Sequence, residues 1–157
     1  MAGSTDRIWL DPVSIAFGKF DALRIDAPGV KAEEPVWMAY GDLVKRLSGT
    51  HEVILFAYDW RLSLAKEAVR LAGEIDKAVR RAEKTEHPVS IIAHSMGGLL
   101  ARALIATQRA AWDRMCKHPE ARLIMLGTPN QGSYCISRVL TGRDSLIKKL
   151  ALLDMKH

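Results

Sequence analysis

"VSIIAHSMGGLLARALI", residues Val89–Ile105, is the stretch that decides the fold. Its first five residues are apolar on both faces, which is typical of a strand buried in a parallel sheet. An apolar pattern with helical spacing follows the two glycines, and Ser95 stands between the two patterns. We therefore predict a strand over residues 89–93, a sharp turn at the serine and a helix over residues 96–115.

The same alternation continues on both sides of this stretch. Strands that alternate with helices through short connections favour an α/β fold, with a mostly parallel sheet and helices on both faces. We expect one domain over residues 1–157. The further predicted elements are a helix at Pro35–Leu47 that opens with proline, a strand at Glu52–Trp60, a long amphipathic helix at Leu62–His87, a strand at Ala121–Gly127 and a short helix at Asp144–Met155.

Composition narrows the class of protein. Hydrophobic residues make up 48% of the chain and charged residues 26%, as in a globular protein. No window is apolar enough to span a bilayer and the first residues do not resemble a signal peptide, so cytoplasmic is the default expectation and the compartment stays open.

The net charge of +5 lies largely on helical segments. A solvated helix face is the first interpretation of this charge, and contact with a membrane or lipid interface is the second. We expect no nucleic-acid partner, because aromatic residues do not alternate with the basic ones. Cys116 and Cys135 flank a predicted strand whose ends lie roughly 15 Å apart, which favours two free thiols. No cluster has metal-ligand spacing, so we expect no metal.

Ser95 follows the carboxyl end of its strand, where α/β proteins bind ligands. A turn this tight needs small residues two positions before and two after the serine, and these are Ala93 and Gly97, with Gly98 adding room. The spacing matches the nucleophile elbow G-x-S-x-G except for the first alanine. The alternative is that Ser95 is an ordinary helix N-cap. His94 should point away from the serine and support the elbow rather than act as a base.

Three motifs, "FAYDWR", "AHSMGG" and "LGTPNQGS", occur in this order between Val53 and Ser133. With them the sequence resembles the α/β-hydrolase superfamily, and more narrowly its lecithin:cholesterol acyltransferase and lipase branch. The resemblance implies a partial α/β-hydrolase fold and a serine hydrolase or acyltransferase that acts on acyl or lipid esters without a cofactor. Ser95 would attack the carbonyl, and the N–H of Met96 would form half of the oxyanion hole.

The resemblance also bears on residues around the elbow. The second half of the oxyanion hole normally comes from a P-G-x-x-G-S loop, and Gly3–Ser4 are either the stub of that loop or no part of it. Asp59 and Arg61 form a structural ion pair in one interpretation and bind substrate in the other. The turn at Gly127–Ser133 should shape the pocket wall. Its Asn130 stands where many relatives have histidine, so no catalytic role passes to it.

A general base for Ser95 is hard to find. In this fold the triad runs Ser, then Asp or Glu, then His. Asp113 and His118 have that order, but both precede a strand, which places them roughly 15 Å or more from the serine. His51 and His87 also precede strands and fail for the same reason.

His157 with Asp144 or Asp154 has the right order, but a terminal residue is a poor base because chain ends fray. The family normally continues into a lid, further strands, the acid and the histidine. The resemblance therefore implies the amino-terminal and central part of a hydrolase, weak or inactive by itself. The alternatives are a fragment, a truncated gene product and a half that a second chain completes. The rival hypothesis is a non-catalytic α/β module with a relic elbow that binds a partner protein.

Overall fold

The computed structural model describes residues 24–25, 28 and 30–145. Their contacts form two compact units, one of which is Lys31–Asn130. The other unit includes the described residues outside that range. A single domain over residues 1–157 stays a prediction.

The larger unit contains a two-stranded parallel sheet and four helices. Ile91 pairs with Leu123 and His94 pairs with Leu126, so the two strands end at the same edge. This is an α/β arrangement of small extent. Its elements are α1 (Trp37–Leu47), α2 (Leu64–Ala82), β1 (Ile91–His94), α3 (Met96–Thr107), α4 (Arg109–Met115) and β2 (Leu123–Leu126). The other unit contains α5 (Tyr134–Leu140).

The core lies where α2 packs against α3 and α4. The apolar positions of α2 recur at helical spacing, so one stripe of the helix is buried, and its charged residues other than Glu67 are not buried. Glu67 is buried on the same helix and is paired with Arg70. The core side chains are Ala68, Leu71, Ala72, Ile75 and Val79 of α2, Leu100 and Leu104 of α3, and Ala111 and Met115 of α4.

The two faces of the sheet differ. Ile91 packs against the helical core and Ala93 is buried, whereas Ile92, Ile124 and Leu126 on the other face are 43–45% exposed. The opposite exposure follows from the alternation of side chains along a strand. The sequence predicted a larger sheet with helices on both faces. The described residues form only the two-stranded sheet, so the larger sheet stays a prediction.

The predicted strand at Glu52–Trp60 is wrong for the described structure. Residues 52–59 belong to no strand or helix. A strand requires a hydrogen-bonded neighbour, and no described segment pairs with this one. Phe56 and Tyr58 nevertheless pack against the core, so the apolar character of the segment serves packing.

The helix predicted over residues 96–115 is also wrong, because it divides at Gln108. That residue has φ −125° and ψ 46°, and its N–H donates to the Leu104 carbonyl at 2.7 Å. α4 begins directly after the break, with Ala111 and Met115 buried.

Other helix boundaries differ from the predicted ones by a few residues. The long helix ends at Ala82 rather than His87, and Glu86 behind it has a φ of 55°. Pro35 lies just before the N-cap Val36 rather than in the first turn of α1. The helix predicted at 144–155 lies outside the described residues except for its first two positions.

Helix α5 was not predicted. Its sequence signal is Ser133, whose hydroxyl accepts a hydrogen bond from the Cys135 N–H. Cys116 and Cys135 are both exposed and free. None of the described helices has the length and apolar character needed to cross a bilayer.

Candidate active site

Ser95 joins β1 to α3 with no intervening loop. Its N–H donates to the Leu126 carbonyl at 2.8 Å, one residue beyond the end of β1, and its own carbonyl accepts from the Gly98 N–H at 3.1 Å in the first turn of α3. The serine has φ 51° and ψ −124°. A positive φ is uncommon for any residue but glycine and costs about 1–3 kcal/mol.

The Ser95 side chain does not act as a helix cap. Although the residue occupies the N-cap position of α3, its side chain makes no capping hydrogen bond, and the residue is exposed. Ser133, by contrast, has φ −142° and caps α5 in the usual way. Ser95 is thus the N-cap residue by position, but its hydroxyl does not satisfy an N–H group of the helix. The first N–H groups of α3, including that of Met96, keep the positive polarity of a helix N-terminus.

Small residues surround the turn, and the space around each differs. A Cβ placed on Gly97 would lie 3.9 Å from the Cβ of Ala93, an ordinary van der Waals contact. A Cβ placed on Gly98 would lie 1.9 Å from Thr128 Oγ1. Gly98 is thus the position in the first turn of α3 where a side chain cannot fit unless Thr128 moves.

The His94 ring contacts α1. Its Nδ1 lies 2.8 Å from the Tyr40 hydroxyl, and the two rings meet edge to face with centroids 5.7 Å apart. Tyr40 could not be identified from the sequence, because the two residues are 54 positions apart and no local pattern connects them.

Asp59 and Arg61 form a bidentate ion pair. Arg61 donates from Nε to Oδ1 at 2.8 Å and from Nη2 to Oδ2 at 2.6 Å, and its backbone N–H donates to Oδ1 at 3.0 Å. The side chains are only 17% and 19% exposed for Arg61 and Asp59 respectively. The hydrogen bonds from Arg61 lower the pKa of Asp59 below its ordinary value. The structural interpretation of the pair is realised, and substrate contact stays a prediction.

The loop after β2 lies along one face of α3. Arg102 Nη1 donates to the side-chain oxygen of Asn130 at 3.0 Å and to its carbonyl at 3.3 Å. Arg102 stands one helical turn after Gly98, against which Thr128 is packed. The loop therefore contacts α3 at two successive turns, and no local sequence pattern predicts either contact.

None of the described histidines forms a hydrogen bond to Ser95. His118 Nε2 lies 3.3 Å from the Glu86 carbonyl, and its Nδ1 accepts a hydrogen bond from the Glu120 N–H at 3.2 Å. Glu86 precedes β1 and Glu120 precedes β2. His51 Nδ1 lies 2.7 Å from the Thr50 hydroxyl. His157 and Asp154 are outside the described residues. Within the described ranges no three metal-ligating side chains form a group.

Two surface cavities lie away from the elbow. One, of about 430 Å³, is lined by α2 and Leu55–Ala57. The other, of about 520 Å³, is lined by the end of α2 and by residues around His118. Ser95 lines neither of these two cavities.

The model of the lecithin:cholesterol acyltransferase family matches residues 8–153. A search of curated proteins finds the uncharacterized protein YJR098C of Saccharomyces cerevisiae, 31% identical over 109 residues. That alignment covers 68% of this chain and 15% of the yeast protein. No solved structure matches the chain significantly.

Proposed function

The chain belongs to the lecithin:cholesterol acyltransferase family, and from this premise we propose that it is a serine esterase, lipase or acyltransferase acting on acyl or lipid esters. Ser95 is the proposed nucleophile. The observation that supports this role is its strained backbone at the strand–helix junction, combined with a hydroxyl that does not cap the helix. Strain of this kind concentrates at functional sites.

In the proposed reaction, Ser95 Oγ bonds to the ester carbonyl carbon while a general base accepts its proton. The carbonyl oxygen becomes an oxyanion that accepts a hydrogen bond from the Met96 N–H. The intermediate then expels the alcohol, which takes the proton back from the base, and leaves an acyl-serine. Water or an acceptor alcohol gives its proton to the base and bonds to the acyl carbon, and Ser95 Oγ leaves and takes that proton. One oxyanion-hole donor is worth about two to three orders of magnitude in rate.

The remaining site residues have supporting roles in this proposal. Ala93, Gly97 and Gly98 make the close turn possible, and His94 supports the elbow through its contact with Tyr40. Asp59 and Arg61 are proposed to contact the substrate from a position fixed by their ion pair. Contact with a lipid interface and completion of the fold by a second chain also remain proposals.

A fluorophosphonate probe tests the nucleophile, because it forms a bond to the oxygen of an activated serine. We expect slow labelling of the wild-type chain, with intact mass and peptide mapping placing the adduct on Ser95. Ser95→Ala should abolish the adduct. Ser133→Ala is the matched control, because it removes a serine that does cap its helix.

Two results contradict the proposal. Labelling that survives Ser95→Ala would place the reactive group elsewhere. A wild-type chain that stays unlabelled at high probe concentration and long incubation would favour the rival hypothesis, a non-catalytic module with a relic elbow.

A further inference from the structure

Thr128 is packed against the first turn of α3 at the point where Gly98 has no side chain. The three atoms nearest to a Cβ built on Gly98 all belong to Thr128, with Oγ1 at 1.9 Å, Cγ2 at 2.6 Å and Cβ at 2.7 Å. The hydroxyl oxygen is therefore the Thr128 atom that lies nearest to this position. It fills the space that any other residue at position 98 would use.

The Thr128 hydroxyl is also buried and has no hydrogen-bond partner among the described residues. Polar groups without partners are uncommon in protein interiors, so each one requires a reason. A valine would occupy the same site without an unpaired hydroxyl. It would, however, place a methyl group where the oxygen lies, and carbon atoms in contact need about 3.5–4.0 Å between them. The smaller oxygen permits the close approach.

The contact lies next to the atoms that matter for an acyl ester. Gly98 is two residues after Met96 in the same turn, and its N–H is bonded to the Ser95 carbonyl. Arg102, one turn further along, holds Asn130 of the same loop. The loop is thus fixed on both sides of Thr128, by β2 and by Arg102, and cannot move away freely if Thr128 changes size.

We propose that Thr128 is a positioning residue of the elbow, whose hydroxyl oxygen sets the distance between the β2 loop and the first turn of α3 and so places the Met96 amide. Its effect on reactivity rests on the proposed function of Ser95. Its effect on the amide does not.

The test compares Thr128→Val with Thr128→Ser in the full chain. Amide ¹H–¹⁵N NMR shifts of Met96, Gly97 and Gly98 report the position of the turn. We expect Thr128→Val to move these signals and Thr128→Ser, which keeps the oxygen, to leave them near their wild-type positions. Thr107→Val is the matched control, because it alters a threonine at the far end of the same helix.

Labelling at Ser95 by the fluorophosphonate is the second readout. We expect Thr128→Val to slow the labelling step about tenfold to hundredfold, as for a small misplacement of reacting groups. Thr128→Ser should stay within about twofold of the wild type. The thermal transition of each variant shows whether a lower rate reflects unfolded protein.

If the valine variant does not fold, Thr128→Ala is tested instead, because it removes the oxygen without adding volume. It should shift the same amide signals. Unmoved Met96, Gly97 and Gly98 signals in the folded variant overturn the inference. A different result separates the two proposals. If the Met96, Gly97 and Gly98 signals move in the Thr128 variants as expected but wild-type Ser95 is never labelled, the positioning contact is supported and the proposed function is rejected.

Discussion

At the residue scale, the backbone of Ser95 has a conformation that glycine adopts more easily than any other residue. Replacing the serine by glycine should therefore relieve strain, whereas alanine keeps it. We expect the free energy of unfolding of Ser95→Gly to exceed that of Ser95→Ala by about 1–2 kcal/mol, as measured by urea denaturation. Both variants lose the proposed nucleophile, so the comparison is independent of activity.

Ser90 is the control for this comparison, because it lies just before β1 and its φ is not positive. There glycine gains nothing and loses more chain entropy than alanine. Ser90→Gly should therefore be no more stable than Ser90→Ala. An equal advantage for glycine at both positions would contradict strain at Ser95.

Asp59 offers a second test at the residue scale. Its pKa is lowered from 3.8 by the hydrogen bonds from Arg61, so the charged carboxylate stabilises the folded state. That contribution is complete above pH 3.8 and is lost as the pH falls through the folded-state pKa. We expect Asp59→Asn to lower the free energy of unfolding by about 1–3 kcal/mol at neutral pH. In urea denaturation at successively lower pH, the difference from the wild type should shrink.

The matched variant is Asp113→Asn, which removes the acid of an exposed pair with Arg109 on α4. Exposed helix pairs contribute about 0.3–0.5 kcal/mol. If Asp59→Asn lowers the free energy of unfolding by no more than this, the Asp59–Arg61 pair stabilises the fold no more than an exposed pair does.

At the element scale, the packing of α3 against the β2 loop distinguishes two neighbouring glycines. Gly98→Ala brings its Cβ onto Thr128 and should lower the free energy of unfolding by about 1–3 kcal/mol. Gly97→Ala makes an ordinary contact and gains helix propensity, so its stability should change by less than about 1 kcal/mol in either direction. Thermal denaturation of the two variants measures the difference. Equal losses would contradict the close contact at Gly98.

Two of the three predicted strands are confirmed, because these two segments pair with each other. The strand predicted at 89–93 is Ile91–His94, so it starts two residues later and ends one residue later, and the strand predicted at 121–127 is shortened to Leu123–Leu126. The segment at 52–60 has the same composition but no strand partner, and pairing depends on residues far away in the chain. The break at Gln108 also has no glycine or proline to mark it in the sequence.

The same limit applied to the site. The order of small residues around Ser95 was sufficient to predict an abrupt strand–helix turn, and the structure places the serine there. The Tyr40–His94 contact and the Arg102–Asn130 contact join residues 54 and 28 positions apart. Neither has a local sequence pattern. Long-range side-chain contacts of this kind depend on how whole elements pack.

At the scale of the whole molecule, no histidine among the described residues is hydrogen-bonded to Ser95 at the strand–helix turn. His94 is directed to Tyr40, and His118 is bound beside Glu86 before the strands begin. Without a base, a serine keeps only the enhancement that binding and the oxyanion hole provide. Hydrolysis of p-nitrophenyl esters by the wild type should therefore stay close to that of Ser95→Ala. Robust wild-type turnover that the substitution abolishes would contradict this expectation.

The pH dependence of Ser95 labelling separates a serine with a base from one without. A histidine in contact with the serine activates it once the ring is neutral, so the rate levels off above a pKa near 6.5. If hydroxide alone removes the proton, the rate instead rises about tenfold for each pH unit. We expect this continuous rise between about pH 6 and 9, measured as initial fluorophosphonate labelling rates in one buffer series with Ser95→Ala as the blank. A plateau near neutral pH that disappears when one histidine is changed to glutamine would show that this histidine serves Ser95.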